Sequence, residues 1–180
     1  MKIMTKKINL KITIEETAER HPVPVLGTDY KVKIIYKNIK IAELDVEDKI
    51  IKISLPNKYK KANNERILDI AIDKMYEQIA KVEVERAMEK TRILLGFAPE
   101  DYEIRKMRKL FGKCEDKKIT INPEIVKYDR NVIDYIVLHQ YCHLKYKNHC
   151  KSFIQMLERY EPDFEKYEQL ILKGEQGSLA

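Results

Sequence analysis

The chain has 180 residues, 44% apolar and 36% charged, enough of both for a globular core under a polar surface and too much for a disordered or low-complexity protein. No apolar run reaches membrane-spanning length and residues 1–7 contain no apolar signal core, so the expectation is a soluble cytoplasmic protein without a membrane partner. The net charge of +6 raises nucleic acid as a partner, but the lysines alternate with apolar residues or dot helix faces, as on an ordinary solvated surface.

Residues 7–14 alternate, with Ile8, Leu10, Ile12 and Ile14 on one side, which predicts a half-buried strand. His21 stands alone beside Pro22 in an irregular stretch and is given no role. Leu26-Gly27-Thr28-Asp29 is a turn, after which Tyr30, Val32, Ile34 and Tyr36 alternate with polar residues. Residues 39–44 and 49–55 are two further strands about a turn at residues 45–48, and Pro56 closes the region. Residues 1–58 are thus expected to form a small, mostly antiparallel sheet.

Behind an Asn63-Asn64 cap the period becomes helical. Leu68, Ala71, Ile72, Met75, Ile79 and Val82 share a stripe that Ala87, Thr91, Leu94 and Leu95 continue to Gly96. Without a proline this is one very long helix, weakest at Val82-Glu83-Val84. A strand near residues 102–106, a loop at residues 109–117 and the strand Lys118-Ile119-Thr120-Ile121 follow, and Asn122-Pro123 starts a short helix. Asp129 caps a helix with Val132, Ile136, His139 and His143 on one stripe. Two last helices carry Phe153, Met156, Leu157 and Tyr160, then Phe164, Tyr167, Leu170 and Ile171. Residues 59–180 form the second region, packed with the first as one unit.

Three of the chain's four histidines lie in His139-Gln140-Tyr141-Cys142-His143-Leu144-Lys145-Tyr146-Lys147-Asn148-His149. The first two are one helical turn apart on one face. The third lies beyond Asn148, a residue able to end a helix in the left-handed conformation. Two helix histidines alone are as readily ordinary packing as a metal pair. A third at the following turn points instead to a metal, zinc before others, with His139, His143 and His149 as ligands and a fourth position open. Cys142, about 60° from His139 on the helical wheel, reaches such a metal only if the helix distorts. Cys150 adjoins a ligand and could close a structural site. Three cysteines without framework spacing agree with a reducing compartment.

The spelling is HExxH with one letter changed, Gln140 standing where the general-base Glu would be. Gln140 lies about 100° from His139 and 60° from His143, the flank from which a carboxylate would take a proton from water. An amide can hydrogen-bond that water but accepts no proton at neutral pH, and losing a general base costs ~10²–10⁴-fold in rate.

Several segments occur in a specific order: Val25-Leu26-Gly27-Thr28-Asp29-Tyr30-Lys31-Val32, Phe111-Gly112-Lys113-Cys114, Ile119-Thr120-Ile121-Asn122, the helix from Ile133 to Leu144, Asn148-His149-Cys150-Lys151-Ser152-Phe153, and Pro162-Asp163-Phe164. Over residues 25–172 they resemble the YgjP-like family of predicted metal-dependent hydrolases, zincin-type metallopeptidases related to the SprT-like proteases. The resemblance implies an α+β zincin-like fold with an N-terminal antiparallel β-sheet, a long central helix and a C-terminal helical metal-binding half. It implies His139, His143 and His149 as zinc ligands, and position 140 as the seat of the catalytic Glu. It also makes Ile119, Thr120 and Ile121 the sheet edge beside which a peptide substrate lies. Gln140 replaces that Glu, Leu110 an Arg, Phe111 a Trp and Lys113 a Ser, and these departures together imply weak or absent activity.

The expected function is therefore a zinc metallopeptidase-like protein acting on peptides or proteins, with Glu158 as a distant substitute acid. One rival is a non-catalytic, zinc-stabilised module that binds peptides or an unfolded partner. Another is a nucleic-acid-associated protein using Lys58, Lys60, Lys61, Arg105, Lys106, Arg108 and Lys109.

Overall fold

The computed structural model describes residues 22–60, 64–173 and 178–179, so the strand expected at residues 7–14, together with His21, Lys61 and Asn63, lies outside the described residues. Four strands make the first sheet: β1 (Val23–Val25), β2 (Thr28–Lys37), β3 (Glu43–Glu47) and β4 (Ile50–Pro56). Their order in space is β1-β2-β4-β3. Leu26-Gly27 and Asp48-Lys49 turn the two hairpins with both central residues at positive φ (49° and 75°, 48° and 61°), the twist-matched two-residue connection.

The sheet is mixed rather than antiparallel. β4 lies parallel to β2, with Val32 opposite Ile51 and Ile34 opposite Ile53. The reason is in the side chains: Ile51, Ile53 and Leu55 are fully buried, so β4 takes the centre. The acidic β3, exposed at all five positions, takes the edge, where charge is tolerated. The turn expected at residues 45–48 is accordingly mostly strand.

α1 (Asn64–Leu95) is unbroken, including at Val82-Glu83-Val84. Gly96, at φ +74°, ends it and donates its N–H to the Arg92 carbonyl at 2.9 Å. The buried stripe differs from expectation in the second half. Val82 is 66% exposed, whereas Val84 is buried with Ala80, Ala87 and Met88. There α1 packs on the histidine-bearing helix, and Glu83 and Val84, not Val82, face inward.

The second sheet comprises β5 (Asp101–Ile104), β6 (Leu110–Glu115), β7 (Lys118–Ile121) and β8 (Ser178–Leu179), in the order β5-β7-β6-β8. The loop expected at residues 109–117 is largely β6, joined to β7 by a third such turn at Asp116-Lys117 (φ 45° and 63°). Ile119, Thr120 and Ile121 do not form a sheet edge. β7 is paired on both sides, parallel to β5 and antiparallel to β6, and the three residues are buried. The far side of β6 meets β8, Gly112 opposite Leu179.

α2 (Arg130–Lys145) starts at Asp129, whose carboxylate accepts from the Asn131 and Val132 N–H groups at 2.9 and 3.1 Å. Buried from Ile133 through Cys142 except at Asp134, it is a core helix. Glu83 of α1 accepts from Arg130 at 2.7 Å and Arg86 at 2.9 Å. Asp134 of α2 accepts from Arg86 at 2.7 Å and Lys90 at 2.6 Å, so the two helices are laced by charge as well as by packing. α2 stops at Tyr146, which is extended (φ −128°); Asn148 is not left-handed, contrary to expectation. α3 (Lys151–Tyr160) and α4 (Phe164–Lys173) bury Phe153, Leu157, Phe164 and Ile171. Among the described residues no helix is long and apolar enough to cross a membrane.

Candidate metal centre

α2 brings His139 and His143 onto one face, and the turn before α3 brings His149 back to them. His139 is 1% exposed, His143 half-buried and His149 exposed, so the cluster has one wall in the core and one open to solvent. The Nε2 of His139 lies 3.2 Å from that of His143 and 3.0 Å from that of His149. One nitrogen from each ring falls within 4.8 Å of the other two. A tetrahedral zinc with bonds of ~2.0–2.1 Å sets its ligand nitrogens about 3.3–3.4 Å apart, close to these spacings. Phe153, fully buried, packs against all three imidazoles with centroid separations of 5.0, 4.7 and 4.7 Å.

The other ring nitrogens are also held. His143 Nδ1 lies 3.0 Å from the Tyr146 carbonyl oxygen. A carbonyl only accepts, so Nδ1 carries the proton and Nε2 keeps a lone pair for a cation. His139 Nδ1 lies 3.3 Å from the Tyr135 hydroxyl, which in turn donates to Glu168 at 3.0 Å. Burial first, and the Glu168 carboxylate second, push the Tyr135 phenol far above its ordinary range, so it keeps its proton.

Gln140 is fully buried and faces β6. A Cβ added at Gly112 would lie 2.8 Å from the Gln140 Nε2 and 2.9 Å from its Cδ and Cγ, so the β6 backbone presses directly on the amide. Neither its Nε2 nor its Oε1 has a hydrogen-bond partner among the described residues. Buried amide atoms nearly always find a partner, so Gln140 is an exception.

The metallopeptidase domain of the YgjP-like family matches residues 2–173. The chain belongs to that family. Comparison with curated proteins gives no match. Among solved structures, this YgjP-like chain is similar to the metallopeptidase zymogen of Pyrococcus abyssi abylysin, at 23% identity and a TM-score of 0.49 over 54% of this chain and 99% of that one. It is also similar to the metallopeptidase zymogen of Methanocaldococcus jannaschii jannalysin, at 23% identity and a TM-score of 0.46 over 51% of this chain and 88% of that one.

Among the described residues of this YgjP-like chain, no cysteine or carboxylate joins the three histidines. Cys142 is fully buried and burial pushes its thiol up to about 12, a poor thiolate donor. Cys150 is exposed at the start of α3. Glu158 is exposed and about 140° round α3 from Phe153, turned away from the cluster. A cleft lined by Cys114, Glu115, Asp116, Lys117 and Leu144 reaches His143 from the β6–β7 turn.

The basic residues divide. Lys106, Arg108 and Lys109 line one cleft, where Asp73 holds Lys106 at 2.7 Å. Arg105 pairs with Glu103 at 3.2 Å, and Lys58 lies over the Tyr59 ring. Sequence reading missed Tyr135, Phe153, Gly112 and Glu168. Tyr135 is one turn before His139 on α2, so helical spacing pointed to it, whereas Phe153 lies on α3 and His149 precedes that helix. Glu168 arrives by the docking of α4 and leaves no local trace.

Proposed function

We propose that this protein is a zinc-binding metallopeptidase relative that holds peptides but hydrolyses them weakly, because position 140 carries an amide. His139, His143 and His149 hold the ion through Nε2. Zinc bound there would supply Lewis-acid polarisation of a carbonyl and activation of water. Gln140 can orient a water through either amide atom but cannot relieve it of a proton. A peptide main chain would add alongside β6, the strand whose Gly112 touches Gln140, in place of Ser178–Leu179. The observation that carries the reading is the convergence of three imidazole nitrogens, with the unpartnered amide on the residue that follows the first of them.

The test starts with metal analysis of protein purified without added metal. One zinc per chain, lost in His149→Ala, is expected; a metal-free chain would overturn the reading. Cleavage of an unstructured protein by Gln140→Glu should then exceed that of the parent by ~10²–10⁴-fold. Zinc binding without any gain favours the purely binding protein instead, a reading that the tight packing of Gln140 on Gly112 supports.

A further inference from the structure

We infer that Tyr135 and Glu168 are positioning residues that set the tautomer of His139 and, through it, the affinity of the three-histidine site. The inference rests on the metal-binding reading and concerns how the donor set is prepared. Tyr135 has one hydroxyl proton and Glu168 as a carboxylate only accepts, so the 3.0 Å contact between them takes that proton. What the hydroxyl can still offer His139 is a lone pair, and the 3.3 Å contact at Nδ1 is then an N–H donating to it. Nδ1 protonated means Nε2 unprotonated, and His139 Nε2 is the atom to which both other Nε2 atoms are close. His139 is therefore the hub of the cluster, and its readiness is set by two side chains.

The geometry holds this relay firmly. Tyr135 is fully buried one turn before His139, edge-on to its ring at 5.9 Å and stacked on Tyr167 of α4 at 5.6 Å. Glu168 comes from α4, an element that supplies no ligand, so the relay ties the metal site to the docking of that helix. His143 needs no such help, since a backbone carbonyl holds its Nδ1. Substitution of these side chains should thus act on His139 alone.

The experiment uses the full chain and two readouts. Zinc affinity is measured by competition with a chromophoric chelator, and the His139 tautomer by long-range proton–nitrogen correlation in metal-free protein. Tyr135→Phe should bind zinc ~10–100-fold more weakly than the parent, the usual cost of losing such a partner. Glu168→Gln, which keeps an acceptor oxygen but loses the charge, should fall between. The parent's His139 should be the Nδ1–H form, and Tyr135→Phe should lose that preference while His143 keeps its own. A merely structural hydrogen bond would lower melting temperature without moving the tautomer. Affinity of Tyr135→Phe within twofold of the parent, or an Nε2–H tautomer in the parent, overturns the inference. A parent that binds no zinc yet keeps the Nδ1–H tautomer overturns the metal reading and leaves the relay standing.

Discussion

Gly112 and Gln140 share a space that fits only one side chain. The glycine suits this approach, because a Cβ there would lie 2.8–2.9 Å from the amide and its methylene and one of the two would have to shift. Gly112→Ala should lower stability by ~1–3 kcal/mol, the usual cost of overpacking, read as a lower melting temperature. In a double-mutant cycle, Gln140→Ala should recover much of that loss, and strict additivity would mean the two do not touch. The contact was beyond sequence reading, since the two positions are 28 residues apart and meet only when β6 packs on α2. The histidines were legible for the opposite reason: two follow from helical periodicity, and the third from a short return.

At the scale of elements, α1 and α2 are joined through Glu83, whose carboxyl is buried while Arg130 and Arg86 reach it from more exposed positions. The hydrogen bond from Arg130, opposed by burial and assisted by Arg86, holds the Glu83 carboxyl below its ordinary value of 4.5. A depressed carboxylate stabilises the fold above that ordinary value and loses its contribution as pH falls through the lower folded-state value. Glu83→Gln should therefore reduce urea stability at pH 7 by about 1–2 kcal/mol, discounted for the exposure of Arg130. The gap between variant and parent should close at acid pH; a constant gap from pH 7 to 3 would reject this origin. α1 itself was legible because no proline or glycine interrupts its period. β6 was not, because Gly112, Lys113 and Glu115 have low strand propensity and only pairing with β7 and β8 makes the segment a strand.

At the scale of the whole molecule, the histidines join α2 to the start of α3, so metal should stabilise the fold without creating it. With free zinc ~100-fold above Kd, linkage predicts ~2.7 kcal/mol, or roughly 5–10 °C in melting temperature for a chain of this size. A chelator should remove that increment and leave the helical circular dichroism intact; collapse of the helices would make the metal a folding requirement. The α+β class and the helical metal-binding half were legible, whereas strand order was not. Periodicity marks a strand but not its neighbour, and the parallel β2–β4 pair depends on which strand can bear the centre. The loser of that contest, β3, alternates Glu43, Asp45 and Glu47 with the partly exposed Leu44 and Val46. Among the described residues its outer side has no strand neighbour. Two such edges meeting antiparallel from two copies would set acid against acid, which repels. An acidic row of this kind, of which Glu47 is paired with Lys52, opposes edge-to-edge pairing of two copies. Replacing all three acids by their amides should produce self-association in light scattering at concentrations where the parent stays dispersed.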